Sequence, residues 1–149
     1  MAWRKMKIFV TGGTGFIGSH AIKKLRQEGH DLLLLTPEKL PDESLEKKTV
    51  IGTLADVGEW KNKIKKFNPD TTVHMAWESL PNYDSKNSIK NLKYGLDLIA
   101  MLAELGCKRV ICTGSCWEYG QQAGKLNEDM PVKTFNAFSA AKNSLHSLG

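Results

Sequence analysis

The residues with the clearest chemistry are the glycines of Thr11-Gly12-Gly13-Thr14-Gly15-Phe16-Ile17-Gly18. Three of them, at 12, 15 and 18, have spacing that suits a backbone approached by a pyrophosphate. Gly12 permits a tight turn, Gly15 lets the phosphates come close, and Gly18 lets a helix pack closely. The free N–H groups and dipole of such a helix start then favour the phosphate charge. The context is a strand before and a helix after: Ile8-Phe9-Val10 precedes, and Ile17, Ala21, Ile22 and Leu25 follow at helical spacing. The turn therefore predicts a bound dinucleotide, NAD or NADP. The competing reading is a glycine-rich turn that holds nothing.

Four other positions carry polar groups of possible use. Ser115 falls just past an apolar run, at the edge where open α/β sheets bind ligands. It is either a substrate contact or a loop hydroxyl that satisfies local backbone. Lys142 lies one helical turn after Phe138, on the same face; most lysines so placed are simply solvated. Asn91 has no helix-forming advantage, so either a polar partner or solvent takes its amide. Thr36-Pro37 stands where an acid would bond a ribose diol, and no Arg for a 2′-phosphate is evident. That place does not separate NAD from NADP. Trp77 and Trp117 flank the expected cleft, either to stack on a substrate or to fill space.

These residues need a parallel sheet with helices on both faces. The pattern predicts strands at Lys7–Val10, Asp31–Leu35, Thr49–Ile51, Thr72–Met75 and Arg109–Thr113. The four leucines of the second strand predict burial on both faces. Helices are expected over Ile17–Glu28, ended by Gly29, and after Asp56, which can cap it. A long helix is expected over Ser88–Leu105, with Ile89, Leu92, Leu96, Ile99, Leu102 and Ala103 inward and Gly106 as its stop. A last helix begins near Asn136. Thr36–Lys48, Ser79–Ser85 and Gly120–Thr134 read as loops. A doubly wound sheet normally continues to a sixth strand. The chain is thus expected to be one Rossmann domain, residues 1–149, truncated after the fifth strand and the start of the next helix, without a C-terminal substrate region.

Composition narrows the function classes. The chain has 149 residues, 41% hydrophobic and 25% charged, as in globular proteins. No apolar run approaches the roughly 20 residues needed to cross a bilayer. The start leaves no room for a signal peptide, so a cytoplasmic protein is expected. The three cysteines, Cys107, Cys112 and Cys116, make no CxxC pair, and the four histidines supply no zinc spacing. Buried reduced thiols and no metal follow. The net charge of +5 is spread along the chain; Lys61, Lys63, Lys65 and Lys66 interleave with Trp60, Ile64 and Phe67 as on an amphipathic helix. A nucleic-acid partner and a membrane partner are not expected.

Five ordered motifs resemble the extended short-chain dehydrogenase/reductase family, the sugar-nucleotide epimerases and dehydratases. They are Thr11–Gly18; Pro69–Trp77 with its His-Met-Ala end; Asn91-Leu92-Lys93-Tyr94-Gly95; Cys107–Ser115 with Tyr119-Gly120; and Phe138-Ser139-Ala140-Ala141-Lys142. The resemblance implies an NAD(P)-dependent oxidoreductase that moves hydride at a sugar carbon of a nucleotide sugar. It implies that Ser115 bonds the substrate oxygen, and that Lys142 holds the nicotinamide ribose and lowers the pKa of a neighbouring Tyr. It places Gly12, Thr14, Gly15, Phe16, Ile17, Gly18, Thr36, Thr53, Leu54, Met75, Ala76, Trp77, Asn91 and Thr113 near the cofactor, with Thr53-Leu54 against adenine. It also implies a homodimer through the two long helices.

Phe138 departs from the pattern. It occupies the position of the family's Tyr, the general acid or base, and it has no hydroxyl to exchange a proton. Three readings stand: a naturally non-catalytic or weakened member, a replacement introduced to stall turnover, or a proton supplied by Tyr83 or Tyr119. The alternative to an enzyme is a non-catalytic NAD(P)-binding regulatory or interaction module.

Overall fold

The computed structural model describes residues 4–40, 45 and 48–148. Five strands form one parallel sheet: β1 Lys7–Thr11, β2 Asp31–Thr36, β3 Thr49–Ile51, β4 Thr71–His74 and β5 Arg109–Cys112, in the order β3-β2-β1-β4-β5. Helices among the described residues include α1 Phe16–Gln27, α2 Val57–Phe67, α3 Ser85–Glu104 and α4 Ala137–Leu148. This is the doubly wound Rossmann arrangement expected from the alternation of apolar runs and helical stretches. Element limits differ from the sequence-based ones by up to three residues. Part of the expected loop Thr36–Lys48 lies outside the described residues.

The strand order reverses between β1 and β4, and that reversal positions everything else. β1 feeds β2 on one side and pairs with β4 on the other, so Ile8 lies opposite both Leu32 and Thr71. The loops after β1 and β4 leave in opposite directions and open a crevice at the strands' carboxyl ends. The sheet is buried on both faces. Ile8, Val10, Leu32 and Leu34 pack with Ile22 of α1; Phe9, Leu35 and Val50 pack with Trp60 and Ile64 of α2 and Leu98, Met101 and Leu102 of α3. The leucines of β2 thus divide between the two layers, as a strand covered on both faces requires.

Four expectations are corrected. Ile17 is 63% exposed and faces away from the core that Ile22 enters. In α3 the buried stripe is Ser88, Asn91, Gly95, Leu98, Met101 and Leu102, while Ile89 is 65% exposed. The reason is close packing against α4: a Cβ on Gly95 would lie 2.7 Å from Leu145 Cδ1, so the small-residue face turns inward. Asp56 precedes α2 without a side-chain cap; its carboxylate accepts from Thr53 Oγ1 at 2.7 Å, and Thr53 caps the short 3-10 turn Leu54–Asp56 instead. The cysteines are free as expected, but Cys107 and Cys112 are half-buried and Cys116 is exposed. None of the described helices is long and apolar enough to cross a membrane.

Candidate functional site

The crevice is built on a contact that only glycine permits. Gly12 has φ +70°, and a Cβ there would lie 2.6 Å from the Met75 carbonyl carbon and 2.7 Å from Ala76 Cα. The backbones leaving β1 and β4 therefore touch. Gly18 does the same for α1: its Cβ would sit 2.7 Å from Gly13 Cα and would overlap the Gly12 carbonyl. The helix is thereby pulled onto the turn, which sharpens the expected role of Gly18. Gly15 differs from both. Its backbone is extended (φ −73°, ψ 177°), and a Cβ would meet only Gly12 O, at 3.4 Å. It faces open space in the crevice.

Gly15 is also the N-cap of α1, with no side-chain cap and no acidic residue in the first turn. The first N–H groups of a helix lack intrahelical acceptors. This end is therefore an uncompensated positive pole that faces a groove.

The groove has two parts. One cavity, about 410 Å³, is lined by Gly12 and Thr14–Gly18 of the glycine turn, by Met75, Ala76, Trp77 and Glu78, and by Leu80 and Thr113. The other, about 340 Å³, is lined by Leu35, Pro37, Gly52, Thr53 and Leu54. Gly12, Thr14, Ala76 and Glu78 line both, so the two are continuous across the sheet reversal. Four expected positions line neither part of the groove: Thr36, Asn91, Ser115 and Lys142. Thr36 is buried and donates its hydroxyl to the Glu38 carbonyl, leaving Pro37 at the wall. Asn91 is buried too, and its amide clamps backbone: Oδ1 accepts from Glu78 N–H at 2.7 Å, while Nδ2 donates to the carbonyls of Asn87 and Glu78. Of the two partners open from sequence, the structure supplies a polar protein one. Asn91 fixes the loop that carries Ala76, Trp77 and Glu78.

Beyond Trp77 the groove meets an aromatic cluster. Phe138 is buried edge-on against three rings: Trp77 at 5.2 Å, Tyr83 at 4.9 Å and Trp117 at 5.7 Å between centroids. Trp117 also packs on Tyr83 and Phe135. Both tryptophans therefore fill space around the position expected to carry a hydroxyl. Trp77 Nε1 is buried without a hydrogen-bond partner among the described residues, an arrangement that costs about 1–3 kcal/mol. Tyr119 makes none of these ring contacts.

Lys142 is buried, with its ammonium held at two points. Nζ donates to the Thr113 carbonyl at 2.9 Å and stands 4.2 Å from the centre of the Trp77 ring. Burial lowers its pKa, and the Glu118 and Cys112 side chains push back upward. Glu118 is a buried carboxylate that the motifs did not single out. It accepts from the Ser115 N–H, while Ser115 Oγ accepts from Trp117 N–H at 3.3 Å, forming a capping box around the turn Cys116–Tyr119. The Ser-x-x-Glu spacing was the available signal. Ser115 thus has a local structural task, and it lines neither part of the groove.

Beneath the turn, His74 Nδ1 and Thr11 Oγ1 are 2.7 Å apart, and Thr11 Oγ1 accepts from Ala76 N–H at 3.4 Å. This bridge ties β1 to β4 at the reversal.

Residues 8–149 match the family described as NAD dependent epimerase/dehydratase. The chain belongs to that family. It is 26% identical over 142 residues to dTDP-6-deoxy-L-talose 4-dehydrogenase (NAD(+)) of Aggregatibacter actinomycetemcomitans, covering 94% of this chain and 53% of that protein. It is 27% identical to a UDP-glucose 4-epimerase of Lactobacillus helveticus, covering 92% and 44%. Its fold is that of the UDP-glucose 4-epimerase of Brucella ovis solved with NAD, at a TM-score of 0.80 and 21% identity, covering 95% and 46%. The chain spans about half the length of the relatives it matches.

His74 gives this family member a pH-dependent brace. Burial, and secondarily the Lys142 cation, lower its pKa from 6.5 to about 4. Between those values the unfolded chain binds the proton and the folded chain does not, so this contribution is complete above about pH 6.5 and falls as pH drops toward 4. At about 1.4 kcal/mol per unit, denaturant unfolding is expected to show roughly 2–3 kcal/mol lost from this group between pH 7 and 4.5. His74→Gln should lose correspondingly less over that interval. An unchanged pH dependence in the variant would remove His74 as the cause.

Proposed function

We propose that this chain binds NAD across the sheet reversal, as the cofactor half of a sugar-nucleotide epimerase or dehydratase whose proton relay is weakened by Phe138. The observation that carries this reading is the exposed start of α1 at Gly15, an uncapped positive pole facing a groove at the carboxyl ends of the strands. A pyrophosphate fits there, because the position with room for it is the one whose missing Cβ leaves the space open.

Thr53, Leu54 and Pro37 are assigned to the adenosine end, and Met75, Ala76, Trp77 and Thr113 to the nicotinamide end. NAD is preferred to NADP because Pro37 at that wall offers no charge to a 2′-phosphate, and because the family is described by NAD. When bound, NAD supplies the hydride acceptor for oxidation at a sugar carbon. Lys142 contributes a fixed positive charge beside Trp77 and Thr113, where a cofactor ribose is expected. Ser115 is assigned to the substrate oxygen, its hydroxyl proton being free to donate while its oxygen caps the turn. Relatives named for dTDP- and UDP-sugars support a nucleotide sugar as substrate.

Phe138 removes the group that would move the proton. The phenol packed on its ring is Tyr83, which favours Tyr83 over Tyr119 as a substitute donor. Without a positioned acid or base, a factor of about 10²–10⁴ in rate is lost while binding survives.

Two substitutions test this. Gly15→Asp should leave stability unchanged or raise it by a few tenths of a kcal/mol, because Asp caps a helix start somewhat better than Gly. It should weaken NAD binding at least about tenfold by calorimetry, because its carboxylate enters the phosphate site. NAD binding equal to that of the parent would reject the assigned site. In any longer protein carrying this chain, Phe138→Tyr should raise turnover of UDP- or dTDP-sugars by about 10²–10⁴-fold. Equal rates across such a panel would favour the non-catalytic binding module.

A further inference from the structure

A second charged site lies at the opposite end of the sheet. A cavity of about 240 Å³ opens at the amino ends of β1, β4 and β5, lined by Arg4, Met6, Asp70, Thr71, Lys108 and Arg109. The strand order brings these residues together from three separate stretches. Thr71 lies opposite Ile8 of β1 on one side and Arg109 of β5 on the other, so one row across the sheet ends in a basic side chain. Arg4 leads into β1, and Lys108 immediately precedes Arg109.

The charges around this cavity do not cancel. No ion pair forms on Arg4, Lys108 or Arg109 among the described residues, whereas Lys24, Lys48, Lys61, Lys90 and Lys93 each have a carboxylate partner. The one carboxylate present, Asp70, is turned to the backbone: its Oδ2 accepts from Lys7 N–H at 2.9 Å. Lys7 Nζ itself stands 5.8 Å from the Phe67 ring. The cavity is therefore left with three cations against one hydrogen-bonded carboxylate.

We propose that this cavity is an anion site for a phosphate group, either inorganic phosphate or the terminal group of a small phosphomonoester. Two guanidinium groups offer forked donors that match phosphate oxygens, and Lys108 adds a point charge. A phosphate near neutral pH carries up to two negative charges over three oxygens, and so offsets more of this cluster's charge than the single charge of a carboxylate does. The cavity's size favours one headgroup over a nucleic-acid strand, which needs a basic stripe along its backbone. The site is independent of the glycine turn and does not rest on the cofactor reading.

The test is a titration of the ¹⁵N-labelled chain at constant ionic strength, with inorganic phosphate, ribose 5-phosphate and acetate in parallel. Saturable shifts are expected at Met6, Thr71, Lys108 and Arg109 with phosphate, ribose 5-phosphate or both, which separates the two sources. Acetate should bind at least about tenfold more weakly. The double substitution Arg4→Gln, Arg109→Gln should weaken phosphate binding about tenfold or more and leave the unfolding midpoint and all distant shifts in place. The proposal is overturned by shifts confined to Gly12–Gly18, by non-saturating shifts at all lysines and arginines alike, by acetate binding as well as phosphate, or by undiminished binding in the double variant.

Discussion

The contact on which the molecule depends is that of Gly12 with the backbone of Met75 and Ala76. One added carbon would force the β1 and β4 exits apart. Their closeness makes the groove continuous across the sheet reversal, and it lets the Thr11 hydroxyl reach both His74 and the Ala76 N–H. Gly18 then sets α1 on the same turn, so that the helix start faces the groove. The closeness of the two strand exits and the direction of the helix start are both consequences of one kind of steric constraint, met at Gly12 and again at Gly18.

That constraint was legible because it is local. Glycine spacing between an apolar run and a helical period specifies the turn, and the alternation of apolar runs with helical stretches specifies the sheet. The less legible parts depend on packing between distant elements. Hydrophobicity alone pointed α3 the wrong way, because its buried face is set by the Gly95–Leu145 approach and by Asn91 reaching Glu78. Ile17 looked like core and is exposed, since the first turn of α1 extends beyond the sheet toward the groove. Glu118 is marked in the sequence only by its place three residues after Ser115, a spacing that specifies a capping box only once the turn between them is formed.

The aromatic cluster seals position 138. Trp77, Tyr83 and Trp117 close around the Phe138 ring, which carries no hydroxyl. The same Trp77 ring receives the Lys142 ammonium, so an apolar cluster and a buried charge share one side chain. The charge is tolerated because the Thr113 carbonyl, the ring face and the nearby Glu118 carboxylate offset its burial. The buried ammonium thus stands beside the groove while position 138 next to it is apolar.

One groove, crossing the sheet at its reversal, is proposed to take an extended dinucleotide. Amide chemical-shift mapping with NAD is the decisive measurement. Saturable shifts are expected in three separated stretches at once: Gly15–Gly18, Ala76–Glu78 and Thr53–Leu54. Shifts absent from the glycine turn, or confined to it while the other two stretches stay still, would contradict it.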